Sequence, residues 1–166
     1  NNLGTHYLMR DDPGTALGYF RDAVNTATGY ATAIYNIGLC FHLNEVFDSA
    51  VIYYDRAIAK EPGYADAWLN AGVAYYSLDQ YAKSETCLIN ARRLAPASPL
   101  VEYHFGILRT YQHRYVDATT HFETAIRLDP ALPDTYLQYG RTLKAMGDKP
   151  GAEQMLGRAR QLGCSE

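Results

Sequence analysis

Gly38, Gly72, Gly106 and Gly140 stand 34 residues apart, and Gly4 lies one further step back. One period therefore runs from the first residues of the chain to the last. Other positions keep the same step: Ala16, Ala50, Ser84, Ala118 and Ala152; Phe20, Tyr54, Leu88, Phe122 and Leu156; Ala23, Ala57, Ala91, Ala125 and Ala159. Pro62, Pro96 and Pro130 close three of the units. Such a chain cannot wrap one globular core. Each unit must bury its apolar face against its sequence neighbours, so residues 1–166 are read as a single array with units at about 1–30, 31–64, 65–98, 99–132 and 133–166. The first unit is truncated: projected backwards, the period places Asn1 inside a helix, so the chain is expected to be a segment of a longer protein.

Within a unit the apolar spacing is helical. Trp68, Ala71, Gly72 and Tyr75 recur at i, i+3, i+4 and i+7, and Tyr81, Ser84, Leu88 and Ala91 repeat the pattern after a break at Leu78-Asp79-Gln80. This predicts a first helix, A, over 65–77 and a second, B, over 81–94, with equivalents in every unit and no strands. Asp12 before Pro13 and Asp148 before Lys149-Pro150 are expected to open a helix B, each with a side-chain acceptor at the start and proline in the first turn. Glycine inside a helix costs about 1 kcal/mol relative to Ala. Its recurrence at one place predicts that helix A approaches helix B too closely for any side chain. Trp68, with Ile34 and Tyr136 at its place, is assigned to the core, as are Cys40 and Cys87. Leu156 and Leu162 are expected to lie uncovered at one end, as is an apolar face near Asn1–Tyr7 at the other.

A 34-residue unit with a small residue at the glycine place, a second twelve further on, an aromatic or Leu four after that, then Ala and Pro, resembles the tetratricopeptide repeat. The resemblance covers essentially the whole chain. It implies an all-α, right-handed superhelical solenoid of antiparallel helix pairs, and a scaffold that binds partners rather than an enzyme.

The residues agree with a non-catalytic reading. There is no HExxH, no GxxxxGK followed by Ser or Thr, no GxSxG, and no GxGxxG after a strand. His6, His42, His104, His113 and His121 form no i, i+4 pair and fall at different places in their units, so no metal site and no cofactor are expected. Cys40, Cys87 and Cys164 are odd in number and lack CxxC spacing, which fits a reducing compartment and a cytoplasmic location. With a net charge of −3 the chain offers no basic field to nucleic acid, and no run of apolar residues is long enough for a membrane span. The charge is uneven. Residues 1–83 carry 5 Lys and Arg against 9 Asp and Glu, whereas residues 84–166 carry 10 against 9.

What remains is a surface. In the resembled family, helices A line a concave groove, and the sixth place of each unit faces it. That place holds Asn2, Asn36, Asn70, His104 and Gln138 here. Amides can donate to a peptide carbonyl and accept from a peptide N–H, so this ladder, similar to that of the repeat region of O-linked N-acetylglucosamine transferase, implies a hold on a partner's backbone. Tyr35, Leu39, Val73, Tyr76, Tyr103, Ile107 and Tyr111 project to the same groove and are expected to choose apolar or aromatic side chains, with Arg141 and Lys144 the place for acidic ones. His42 and Thr110 project there too. The cations that hold acidic chaperone tails in this family are missing: Tyr35 and Leu39, Asn70, then Leu100 and His104 occupy their places. The expected partner is therefore a protein or peptide held in the groove. The alternatives are a substrate-recruiting region of a larger enzyme, such as a glycosyltransferase, and self-association through the terminal repeats. Alanine at Asn36 and Asn70 is expected to weaken binding at little cost to folding.

Overall fold

The structure, a computed structural model, describes residues 13–24 and 30–164. Among these, every regular element is an α-helix: α1 (Pro13–Val24), α2 (Tyr30–Leu43), α3 (Phe47–Lys60), α4 (Ala65–Ser77), α5 (Tyr81–Leu94), α6 (Pro99–Tyr111), α7 (Tyr115–Leu128), α8 (Pro133–Met146) and α9 (Lys149–Gln161). The expected 65–77 and 81–94 pair is α4 and α5. The helices fall into two units, α1–α5 ending at Leu94 and α6–α9 beginning at Ala95. In the first, α2 packs on α3 and α4 on α5, with α1 against α2 and α3 against α4. In the second, α6 packs on α7, α8 on α9, and α7 against α8.

The repeated small and large residues build these pairs. Ala50, Ala118 and Ala152 are buried on their helices B, beside Tyr54, Phe122 and the partly buried Leu156. A Cβ on Gly106 would lie 2.5 Å from Cε1 of Phe122, and one on Gly140 would lie 2.8 Å from Cγ of Leu156. Real Cβ atoms do not approach so closely, so the glycines are contact residues and not hinges. Leu156 is accordingly engaged rather than bare. Together with Met155 and Leu162 it packs half-buried on Tyr136, Leu137 and Ala159, which corrects the expectation of an uncovered end. The matching expectations for Asn1–Tyr7 and for the Asp12 cap lie outside the described residues.

The turn from helix A to helix B is a repeated device. Glu45, Asp79, His113 and Gly147 all have positive φ, at 58°, 58°, 58° and 88°. After each, the next amide reaches back to the helix, Val46 to Phe41, Gln80 to Tyr75, Arg114 to Arg109 and Asp148 to Leu143, at 2.8–3.0 Å. These are Schellman turns, which satisfy the last carbonyls of helix A and reverse the chain in three residues. At the start of α9 the Asp148 carboxylate accepts from the Gly151 amide at 3.0 Å, as expected of its N-cap.

A second device joins one pair to the next. Trp68 donates from Nε1 to the Pro62 carbonyl at 2.9 Å, and the Tyr136 hydroxyl donates to the Pro130 carbonyl at 3.2 Å. The aromatic at the fourth place of helix A thus ties down the closing proline. It is a structural group with a polar tip.

Candidate functional site

In the first unit α2 and α4, both helices A, lie against each other and α2 reaches across with Tyr35. Asn70 on α4 donates from Nδ2 to the Tyr35 hydroxyl at 2.6 Å. The Tyr35 ring rests on Tyr54, with centroids 5.6 Å apart, and on Tyr64, 4.9 Å away at 45°. Burial pushes the Tyr35 phenol well above its usual range, and the neighbouring Tyr64 and Asp66 push it further. Asn36, Leu39 and Val73 are half-buried, and the Asn36 amide makes no hydrogen bond to any described residue. Tyr76 is only 6% exposed, so its ring offers a partner little surface.

His42 departs from its projection. Its ring meets Phe47 edge-on at 5.2 Å and its Nδ1 lies 3.3 Å from the Tyr54 hydroxyl, which places it between α2 and α3. Burial lowers its pKa, and the neutral ring can accept a hydrogen bond from the Tyr54 hydroxyl.

In the second unit Tyr103 on α6 is half-buried, edge-on to His104 at 4.8 Å and tilted against Phe122 at 6.4 Å. Its phenol is pushed up to about 12 by burial, then by Asp134, while Arg141 opposes. Cys164 lies 3.8 Å from an Asp134 oxygen at the same place. Ile107, His104 and Gln138 are half-buried, and the Gln138 amide makes no hydrogen bond to a described residue. Thr110, also projected to the groove, is occupied: its hydroxyl lies 3.0 Å from that of Thr142 and donates to the Gly106 carbonyl. Tyr111 is 51% exposed, and Arg141 and Lys144 are exposed. Lys144 also borders a cavity of about 510 Å³ with Lys149, Ala152, Glu153, Leu156 and Arg160.

The structure thus joins Tyr35 to Asn70 and Tyr103 to His104. Asp66 and Asp134, which the repeat also projects to the groove, act on the two tyrosines. Tyr35, Asp66 and Asn70 stand 68 residues before Tyr103, Asp134 and Gln138, a two-unit period beneath the 34-residue one. Sequence reasoning missed a buried polar group in α6. Glu102 and Arg109, 7% and 8% exposed, occupy places held elsewhere by Ile34, Trp68 and Tyr136 and by Phe41, Tyr75 and Leu143. His121, stacked on Phe105, lies 2.7 Å from the Glu102 carboxylate through Nδ1.

Among the described residues no three His, Cys, Asp or Glu side chains converge as metal ligands, and no helix is long and apolar enough to cross a membrane. Cys40 and Cys87 are buried free thiols, with pKa values raised by burial to about 11 and about 12.

The family profile described as tetratricopeptide repeat matches residues 53–86, a full period beginning within α3. The fold is that of the tetratricopeptide repeat. A thermophilic repeat protein of this kind from Thermus thermophilus superposes with a TM-score of 0.86 over 98% of this chain and 89% of its own, at 16% identity. MamA from Desulfovibrio magneticus gives 0.81 over 97% and 91%, at 19% identity. YrrB, described as a repeat protein with an unusual peptide-binding site, gives 0.71 over 98% and 84%, at 20% identity. At these identities the likeness is one of fold. No curated protein sequence matches the chain.

Proposed function

We propose that this chain is a non-enzymatic protein-interaction scaffold, one tetratricopeptide repeat array whose helix A faces hold an extended or helical segment of a partner within a larger assembly. The observation that carries this reading is the state of Asn36 and Gln138. Each amide is half-buried yet makes no hydrogen bond to a described residue, and Leu39 and Ile107, which project to the same groove, are half-buried in the respective units. An amide held at an apolar surface with both its donor and acceptor uncommitted is suited to a peptide backbone. Such a groove positions a partner and needs no cofactor. Three free cysteines without a disulfide favour a reducing, cytoplasmic setting.

Asn70 fits this role less simply, because it already donates to Tyr35. The test therefore uses Asn36→Ala with Gln138→Ala. A partner captured by the full chain should lose affinity about tenfold or more, each amide bond contributing a net ~0.5–1.5 kcal/mol, while the melting temperature stays unchanged. An unaltered affinity would place binding elsewhere on the molecule.

A second reading, association of copies through the ends, is favoured by the cavity of α8 and α9. It carries Lys144, Lys149 and Arg160 against one acid, Glu153, whereas residues 1–83 are net acidic. Leu156 is unsuitable for testing it, since that side chain fills the space beside Gly140. Lys149→Glu with Arg160→Glu should instead reduce the mass measured by light scattering if copies associate, and a monomer at every concentration would refute the reading.

A further inference from the structure

The two-unit period sets corresponding side chains in both halves of the chain, and they differ at three places, with Tyr64, Asn70 and Val73 standing opposite Leu132, Gln138 and Arg141. Tyr35, Asp66 and Asn70 correspond to Tyr103, Asp134 and Gln138, and each Asp bears on the phenol of its Tyr. At the ninth place of the later helix A, however, the second unit has Arg141 and the first has Val73. Arg141 acts on the Tyr103 phenol against Asp134, so the second frame contains its own cation. The first frame contains none.

Its remaining groups are those that receive a cation. The Tyr35 and Tyr64 rings lie 4.9 Å apart at 45° and are half-buried. Asp66 is exposed in the first turn of α4 and no Lys or Arg among the described residues pairs with it. Asn70 spends a donor on Tyr35, which leaves its Oδ1 as an acceptor. Glu61 adds a further negative charge at Tyr64. Aromatic faces, a carboxylate and an amide oxygen together match a guanidinium, which stacks on rings while its N–H groups donate.

We propose that Tyr35, Tyr64, Asp66 and Asn70 form a subsite for a cationic side chain, arginine above lysine, of the partner segment. The proposal rests on the groove reading above and gives the partner a chemistry that the apolar lining does not: a basic residue at the first unit. In the second unit the ninth place already holds a cation, Arg141, and Leu132 stands where the first has Tyr64.

The test uses the full chain and two capped pentapeptides, Gly-Gly-Arg-Gly-Gly and its citrulline counterpart, which is neutral and nearly isosteric. Binding is followed by the NMR shift of the Asn70 side-chain amide. The arginine peptide should bind about tenfold tighter than the citrulline peptide, the size expected of a charge-assisted, ring-stacked contact, and the preference should fade with added salt. Asp66→Asn should abolish the preference. Val73→Arg, which installs the cation of the second unit, should abolish it too, and Asn36→Ala with Gln138→Ala should leave it intact. Equal affinity for the two peptides, no shift with either, or a preference that survives Asp66→Asn would overturn the subsite. Unaltered partner affinity in the Asn36, Gln138 variant would count against the groove alone, so the two readings fail separately.

Discussion

Asn70 and Asn36 occupy the same place in successive units and differ in what they do. Asn70 donates to Tyr35 inside a half-buried cluster, whereas Asn36 makes no hydrogen bond to a described residue. Asn70→Ala should therefore cost about 0.5–1.5 kcal/mol of folding free energy, visible in denaturant melts, while Asn36→Ala should leave the midpoint unchanged or slightly raised. Ser84 shows the opposite imbalance. It stands where Ala50, Ala118 and Ala152 stand, and its buried Oγ makes no hydrogen bond. Ser84→Ala removes an unsatisfied hydroxyl and gains helix propensity, so it should stabilise by about 1 kcal/mol; a loss in the same melts would show that the hydroxyl is satisfied after all. His42 sets a pH dependence. Its pKa is lowered by burial from its ordinary 6.5, so the folded state takes up a proton less readily than the unfolded chain. Stability should fall as pH drops below about 6.5, level off once folded His42 also protonates, and lose that part of its slope in His42→Gln. A difference profile flat between pH 7 and 5 would refute the assignment.

At the scale of the helix pair, two local rules set the geometry. Helix A ends in a left-handed residue, and only one of the four described copies, Gly147, has the residue type that adopts it without strain. Glu45 is exposed at φ 58°, so Glu45→Gly should raise stability by up to about 1 kcal/mol. An unfolding midpoint lowered by more than the added freedom of glycine explains would mean that Glu45 has a further role. The other rule is the contact of glycine with the large side chain of helix B. Gly106 is the tightest case, with the Phe122 ring fully buried and unable to yield.

Gly106→Ala extends that rule to the whole molecule. Overpacking there should cost about 1–3 kcal/mol, but in an array stability is a sum over units and their neighbours, so the loss should not spread evenly. Amide exchange should quicken in α6–α9 more than in α2–α4. An equal change in both would mean that the chain unfolds as one body. The uneven charge also belongs at this scale. The acidic excess of residues 1–83 includes Glu61 and Asp66 beside Tyr35 and Tyr64, and the basic share of residues 84–166 includes Arg141, Lys144 and the cations around the α9 cavity.

The 34-residue period fixed the helix pairs, and with them the residues at each glycine contact, because a repeated unit must solve the same packing problem each time it recurs. Ala65–Ser77 and Tyr81–Leu94 could be read from apolar spacing alone, since that spacing reports directly which face of a helix is buried. The surface was legible only by place in the unit. Position cannot show whether an amide is spent on a neighbour, as Asn70 is on Tyr35, or whether a ring is buried, as Tyr76 is. Nor can it show that His42 turns to Tyr54, or that Glu102 finds His121 at an otherwise apolar place. These outcomes depend on side chains from other helices meeting at distances of a few ångströms. Helix periodicity carries no information about such meetings, and only tertiary packing decides them.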